Sequence, residues 1–375
     1  MPLPTQTAAR SWVTVVFALL VAGVWWIPSA AFAASVSWRP DTPYASHSMV
    51  YVNSSYAFKR AMFEHAAASG ASSIRLDLAL TGVFGVDSQR PDWSGVDEIA
   101  ALSREFRLRV TAVILSTPWY LTNCPAGTPF ERTHLCAPAD PAGEWARQVE
   151  QVAARTRGTI SHFEIVNEPD GQWAFLGSPA DYAAMLVAGS AAIRRANPRA
   201  AVLMGGLMHL GSRTWMDQVF AAQPGLASSF DIVNVHVRGR LATLPRVMRS
   251  WQRYFASRGA SRKPVWVTEF GYASDPAYQR DLGYTDGEAG QARYLRAALP
   301  ALINAGAGKV FVTLRDNMWG DFASEGILGG NVSDSASGPL QVRRKAAFRA
   351  LATLGQRAQV TAARASKRRR VVRRK

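Results

Sequence analysis

Cysteine is nearly missing from this chain: its 375 residues include two, Cys124 and Cys136. Histidine is scarce as well, at six. With no histidine pair beside the two thiols, a metal site is not expected, and a lone catalytic cysteine has no local support. The thiols enclose a loop rich in Pro, Gly and Thr, so in an oxidising compartment a disulfide is expected there. No glycine-rich phosphate loop follows the first strand-like run, and no Ser-His-Asp arrangement has a recognisable context. Internal repeats are missing too. Acidic residues are in deficit, 27 against 43 basic ones, for a formal net charge of +16.

That charge is uneven. Eight positive residues fall between Arg364 and Lys375 and one more is Arg10, leaving seven positive charges for the body. A terminal block of like charge, residues 361–375, is expected to be disordered, either as a solvated tail or as an attachment to an anionic envelope polymer. Nucleic acid is not an expected partner. At the other end an uncharged apolar run, Ser11 to Ala34, ends on Ala31-Phe32-Ala33 after Pro28. This is the pattern of a signal peptide over residues 1–33, which makes the chain secreted or bound to the cell envelope. The alternative is an uncleaved anchor, since the run is long enough to cross a bilayer core of about 30 Å. No later stretch is apolar enough to do so.

From residue 34 to 360, strand-like and helix-like periods alternate. Eight short Val- and Ile-rich runs read as strands: Ser48 to Val52, Ser73 to Leu78, Arg109 to Leu115, Ile160 to Val166, Ala201 to Gly205, Asp231 to Val237, Val265 to Glu269 and Val310 to Leu314. They are mostly apolar on both faces, as strands buried in a parallel sheet should be. Amphipathic runs separate them, among them Ser54 to Ala68, Ser94 to Phe106, Glu288 to Ala305 and Arg343 to Leu354. The helix after Ser178-Pro179 opens on a cap and a proline whose missing N–H is harmless there, and stops at Asn197-Pro198. Eight alternations with right-handed crossovers predict an α/β fold, a single (β/α)8 TIM barrel, with a doubly wound open sheet as the rival.

Two of the strands end in a carboxylate. His162 to Pro169 reads HFEIVNEP, and Pro264 to Gly271 reads PVWVTEFG. In a barrel of this kind the active site forms where strands end. Glu168 just past the fourth strand and Glu269 closing the seventh therefore face one another across the mouth. Two carboxylates so placed are the minimum apparatus for cleaving a glycosidic bond, one handing a proton to the leaving oxygen and one attacking the sugar carbon. Glu164 shares the face of Glu168, four residues deeper. A charge there is costly unless paired, so it is expected to be a buried partner of Arg75 or His162.

Asn167-Glu168-Pro169 after strand four and Thr268-Glu269-Phe270-Gly271 on strand seven resemble the signature of clan A retaining glycoside hydrolases. The run from Phe163 to Pro169 is most similar to family 39 and its endoglycosidase relatives, and the likeness extends from about His47 to Leu354. The resemblance implies Glu168 as general acid/base and Glu269 as nucleophile, with Arg75 matching the clan's arginine on strand two. It implies that Asn167 binds the sugar 2-hydroxyl, that His236 lies near the nucleophile, and that no cofactor takes part. Two departures stand out. Arg238 occupies the position where many relatives carry a tyrosine bonded to the nucleophile, and strand eight lacks the usual aromatic, for which Trp319 in the following loop is the replacement.

Aromatic rings serve sugars as apolar platforms, and Trp119, Tyr120, Trp173, Tyr272 and Trp319 sit in the loops after strands three, four, seven and eight. The expectation is a monomeric, exported, retaining β-glycosidase cleaving a poly- or oligosaccharide. A non-catalytic carbohydrate-binding barrel on the same scaffold is the alternative.

Overall fold

The computed structural model describes residues 37–85, 89–279, 283–316, 320–332, 334 and 340–372. The apolar run before residue 35, and Trp319, lie outside the described residues. Eight strands form one parallel sheet: β1 (Tyr44–Tyr51), β2 (Ser73–Ala79), β3 (Arg109–Leu115), β4 (Ile160–Ile165), β5 (Ala201–Met204), β6 (Val233–His236), β7 (Val265–Phe270) and β8 (Ala307–Thr313). Their spatial order is β5-β4-β3-β2-β1-β8-β7-β6. The two end strands meet as well, through the bridges Leu203↔Ile232 and Leu207↔Val235. An open doubly wound sheet would leave those edges apart, so the fold is the (β/α)8 barrel.

Among the described residues, eight helices of ten residues or more surround it: α1 (Tyr56–Ala68), α2 (Ser94–Phe106), α3 (Ala146–Arg155), α4 (Pro179–Ala196), α5 (Arg213–Ala222), α6 (Leu244–Phe255), α7 (Gly287–Asn304) and α8 (Ala346–Val372). α4 shows how local sequence sets their ends. The Ser178 side chain accepts from the Asp181 N–H, the Asp181 carboxylate accepts from the Ser178 N–H at 2.8 Å, and Pro179 opens the first turn. Strand residues alternate between a helix-facing layer and the barrel interior. On β4, Phe163 and Ile165 join the helix-facing core while His162 and Glu164 point inward, where the His162 ring lies 4.8 Å from that of Trp266. A small apolar plug of Ala45, Leu203, Ile232, Trp266 and Phe311 fills the barrel below the polar mouth.

Three elements differ from expectation. β1 begins at Tyr44, four residues before the predicted strand, because Ser46, His47 and Ser48 are buried in the barrel and not exposed in a loop. Arg343 does not start a helix; β10 (Gln341–Arg344) pairs antiparallel with β9 (Leu328–Asn331). The basic segment from residue 361, expected to be disordered, continues α8 as helix to Val372. It extends a helix anchored by buried Phe348 and Leu351, and its Ala, Arg and Lys residues are strong helix formers. Among the described residues no helix is long and apolar enough to cross a membrane.

Candidate active site

The floor of the barrel mouth is built around Arg75 on β2, which is fully buried. Its Nε and Nη2 donate to the two Glu164 oxygens at 2.8 and 2.9 Å, so Glu164 is the buried partner of Arg75 and not of His162. Nη2 also donates to Asn167 Oδ1 at 2.6 Å. Nη1 donates to Glu269 Oε1 at 3.2 Å and to His47 Nδ1 at 3.0 Å. One guanidinium thus fixes residues from β1, β4 and β7. Because arginine has no acceptor, His47 must present a bare Nδ1, which leaves its proton on Nε2, 3.7 Å from Glu269 Oε1. Burial and the neighbouring Arg75 lower His47 to about 3, so it is neutral at pH 7 and acts on Glu269 through that N–H.

Glu269 reaches the mouth by way of a backbone irregularity. Trp266 and Thr268 point into the barrel, the latter bonding Asn234 Oδ1 at 2.6 Å, so simple alternation would turn Glu269 outward. Between Val235↔Val267 and His236↔Glu269 the register slips by one residue. This bulge turns Glu269 inward and sends Phe270 out against Tyr294.

Glu168 is held in a different way. Val166 and Glu168 both have left-handed backbone, φ 64° and 44°, a conformation costly for any residue but glycine. Glu168 Oε1 accepts from His236 Nδ1 at 2.7 Å and Oε2 from Trp173 Nε1 at 2.9 Å. The His236 ring rests on Gly206, where a Cβ would come within 2.2 Å of Nε2. Gly206→Ala is expected to push the imidazole away and lower kcat/KM roughly 10- to 100-fold, with little change in melting temperature, as steady-state kinetics beside thermal denaturation would show.

The two carboxylates converge. Glu168, His236 and Glu269 each contribute one atom to a group lying within 4.8 Å of one another. That set could hold a cation, but the Arg75 and Arg238 guanidinium groups beside Glu269 oppose it. The electrostatics of the pair are unequal. Burial alone would push Glu269 up; His236, Arg75 and Arg238, with His47, outweigh it and hold the carboxyl well below the usual range. Burial likewise opposes the shift at Glu168, where the His236 bond prevails and lowers it. His236 itself is raised, because Glu269 and Glu168 overcome the cost of burying its charge.

Arg238 stands where the resemblance called for tyrosine, and it touches the same carboxylate: Nη2 lies 3.5 Å from Glu269 Oε2. Glu325, in the loop after β8, anchors it through Nε at 2.9 Å and Nη2 at 3.0 Å. The Phe322 ring packs 4.4 Å from the guanidinium carbon. Sequence reasoning missed His47, Glu325 and Phe322. His47 preceded the predicted strand, and the other two lie in a loop without a pattern.

The aromatic residues divide. Trp173 is 62% exposed with its N–H on Glu168, and Trp119 is 49% exposed, its ring 6.4 Å from that of Phe130. Tyr272 cannot serve as a platform: it is 2% exposed and stacked 3.9 Å from Tyr294, because the β7 bulge turns this stretch toward α7. Tyr120 accepts from buried Gln148 on α3 at 3.1 Å, which turns its hydroxyl toward the helix layer. Cys124 and Cys136 are bonded and close the loop that carries Phe130, and Arg132 in that loop donates to Gln172 O at 2.8 Å, next to Trp173.

Comparison with known proteins places this geometry. Residues 138–304 match a family model described as glycosyl hydrolase catalytic core. No curated protein sequence matches the chain. Among solved structures, the chain is similar to a family 39 glycoside hydrolase from the gut symbiont Bacteroides cellulosilyticus WH2, with 16% identity and a TM-score of 0.62. The match covers 83% of this chain and 63% of that protein, so this chain spans less than two thirds of its length. It is also similar to GH5_18 from Streptomyces cattleya in complex with GlcNAc (19% identity, TM-score 0.58, 86% of this chain and 82% of that one). An exo-beta-1,4-mannosidase from Opitutaceae bacterium strain TAV5 aligns at 17% identity and TM-score 0.58, over 88% of this chain and 62% of that one. At such identities the likeness is one of fold. The core matched over residues 138–304 contains Glu168, His236 and Glu269, and the chain shares the (β/α)8 barrel fold of these glycoside hydrolases.

Proposed function

We propose that the protein is an exported, retaining β-glycosidase that cleaves an oligo- or polysaccharide by double displacement. The observation that carries this reading is the convergence of two carboxylates within 4.8 Å, Glu269 among guanidinium groups and Glu168 on His236. Retention needs the carboxyl groups about 5–5.5 Å apart, against roughly 6.5–9.5 Å for inversion. Glu269, kept ionised by its cationic neighbours, attacks the anomeric carbon. Glu168 gives the leaving oxygen a proton as the glycosidic bond breaks. Water then enters, Glu168 takes its proton, and the Glu269 ester is released as free sugar. Asn167, oriented by Arg75, is placed to bond the 2-hydroxyl. The first-formed product, followed by proton NMR on a β-glycoside, is expected to be the β-anomer; an α-anomer would overturn the mechanism. A purely sugar-binding barrel would show no turnover in that experiment, and Arg238 on Glu269 removes one of the departures that favoured it.

The proton that Glu168 donates has a source. His236 is raised and Glu168 lowered, so in the free enzyme the proton rests on the imidazole and passes to Glu168 in the acid step. A raised histidine keeps its proton to higher pH, so the alkaline limb of kcat/KM should lie above the ordinary histidine value of about 6.5. In His236→Asn the proton must reside on Glu168 itself, and the limb should move to lower pH. A limb that stays in place would rule out the shared proton.

The N-terminal apolar run supports export, and long loops after β3, β4 and β8 support a cleft for a polymer. The basic end of α8 supports contact with an anionic envelope polymer. Deleting residues 364–375 is expected to weaken co-sedimentation with acidic polysaccharide while leaving turnover of small glycosides unchanged.

A further inference from the structure

Beside the catalytic pair lies a group of polar side chains that the double displacement does not use. Asp77 follows Arg75 by two positions on β2 and so shares its inward face, about 7 Å nearer the mouth. The residue is 5% exposed, and the charges nearest its carboxyl are Arg75, Glu269, Glu164 and Arg315. Tyr51, at the end of neighbouring β1, is in direct register with it and partly exposed. On the other side of β1, Arg315 lies two residues beyond Thr313, the β8 partner of His47. It reaches across to Met49 O at 3.4 Å, while its buried Nε has no partner and no carboxylate lies within ion-pair distance, among the described residues. Three adjacent strand ends, in the order β2, β1, β8, thus present a carboxyl, a phenol and a cation that, among the described residues, bonds backbone carbonyls but no carboxylate.

The unpaired Arg315 Nε is buried, which is costly unless something else satisfies it, and the Asp77 carboxyl and the exposed Tyr51 lie within its electrostatic reach. We propose that Asp77, Tyr51 and Arg315 form the wall that binds the ring hydroxyls of the glycone, the sugar whose anomeric carbon Glu269 attacks, and that they select a neutral, hydroxyl-bearing sugar. A sugar diol presents donors and acceptors together, which is what this wall offers in reverse. A uronic acid fits poorly, since Asp77 and Glu269 flank the position and the Arg75 and Arg238 charges are already taken up by Glu164, Glu269 and Glu325. Burial, together with Glu269 and Glu164, raises Asp77 to about 7, so near neutrality it can both accept and donate. Tyr51 feels that carboxyl directly and is raised to about 12.

The inference rests on the glycosidase reading, and the test separates the two. 4-Nitrophenyl β-glycosides of glucose, xylose, mannose and glucuronic acid, as mono- and disaccharides, would be screened with wild type. The monodeoxy analogues of the best substrate would follow. Asp77→Ala should lower kcat/KM roughly 10- to 100-fold on the parent sugar, with most of that factor vanishing on the one analogue that lacks the bonded hydroxyl. Asp77→Asn, which keeps an acceptor oxygen, should recover part of the loss. An equal loss on every analogue, an unaltered kcat/KM, or a wild-type preference for the glucuronide would each overturn the assignment. Failure of wild type to turn over any glycoside would instead sink the glycosidase reading. A lowered melting temperature in Asp77→Ala with unchanged kinetics would make the residue structural and also refute the proposal.

Discussion

Glu269→Ala is expected to abolish turnover, a loss on the order of 10⁴-fold or more, and to regain part of it when azide is added. Removing the side chain leaves a hollow on the face of the sugar opposite the leaving group, lined by Arg75, His47 and Arg238, which held the native carboxylate. A small anion should enter that hollow and attack the anomeric carbon while Glu168 still protonates the departing oxygen. The product would be an α-glycosyl azide, one inversion from the β-substrate. Glu168→Ala gives the opposite outcome. There the ester with Glu269 still forms from substrates with good leaving groups, azide enters where Glu168 stood, and the product is a β-glycosyl azide after two inversions. Nuclear magnetic resonance of the two azides settles the roles. If the two variants exchanged products, the assignment of acid and nucleophile would be reversed.

Much of this arrangement was legible from residues alone, because the barrel obliges it. Strands buried on both faces must be apolar, so β3 and β7 stand out, and a charged residue ending such a run has no purpose in packing. The same reasoning reached Glu164, whose inward position follows from alternation with Glu168 and whose pairing follows from the cost of a buried charge. What stayed hidden depended on departures from regularity. The bulge on β7 decides that Glu269 faces inward and Tyr272 outward, and nothing in PVWVTEFGY marks the slip. His47 sits in a polar stretch, SHS, that reads as a loop but is buried against the floor of the mouth. The fifth predicted strand stops at Gly205, and Gly206 beyond it carries no pattern. In the structure Gly206 is the surface on which His236 rests, and a Cβ at Gly205 would meet Val166 O at 2.7 Å. Glu325 compensates for Arg238 from a loop whose place no periodicity predicts.

The second large effect concerns the floor. Arg75→Met should cost about 3–5 kcal/mol of stability, because it strands Glu164, which is wholly buried and among the described residues retains just the Gly206 N–H at 3.1 Å. The same change strips Glu269 of a cation and Asn167 of its anchor, so activity should fall with stability, and a single variant cannot separate the two. The double variant Arg75→Met/Glu164→Leu can. Replacing both members of a buried ion pair by apolar residues of similar size is often neutral or stabilising, since the desolvation of two charges is recovered. Denaturant melts should therefore show the double variant close to wild type in stability. Its kcat/KM should remain as low as that of Arg75→Met, because Glu269 and Asn167 still lack their guanidinium. Recovery of activity along with stability would mean that Arg75 is a scaffold residue, and that the low proton affinity of Glu269 comes from Arg238 and the two histidines. Activity lost in both variants, with stability restored in one, would show that this buried ion pair is retained for what it does to the carboxylate above it.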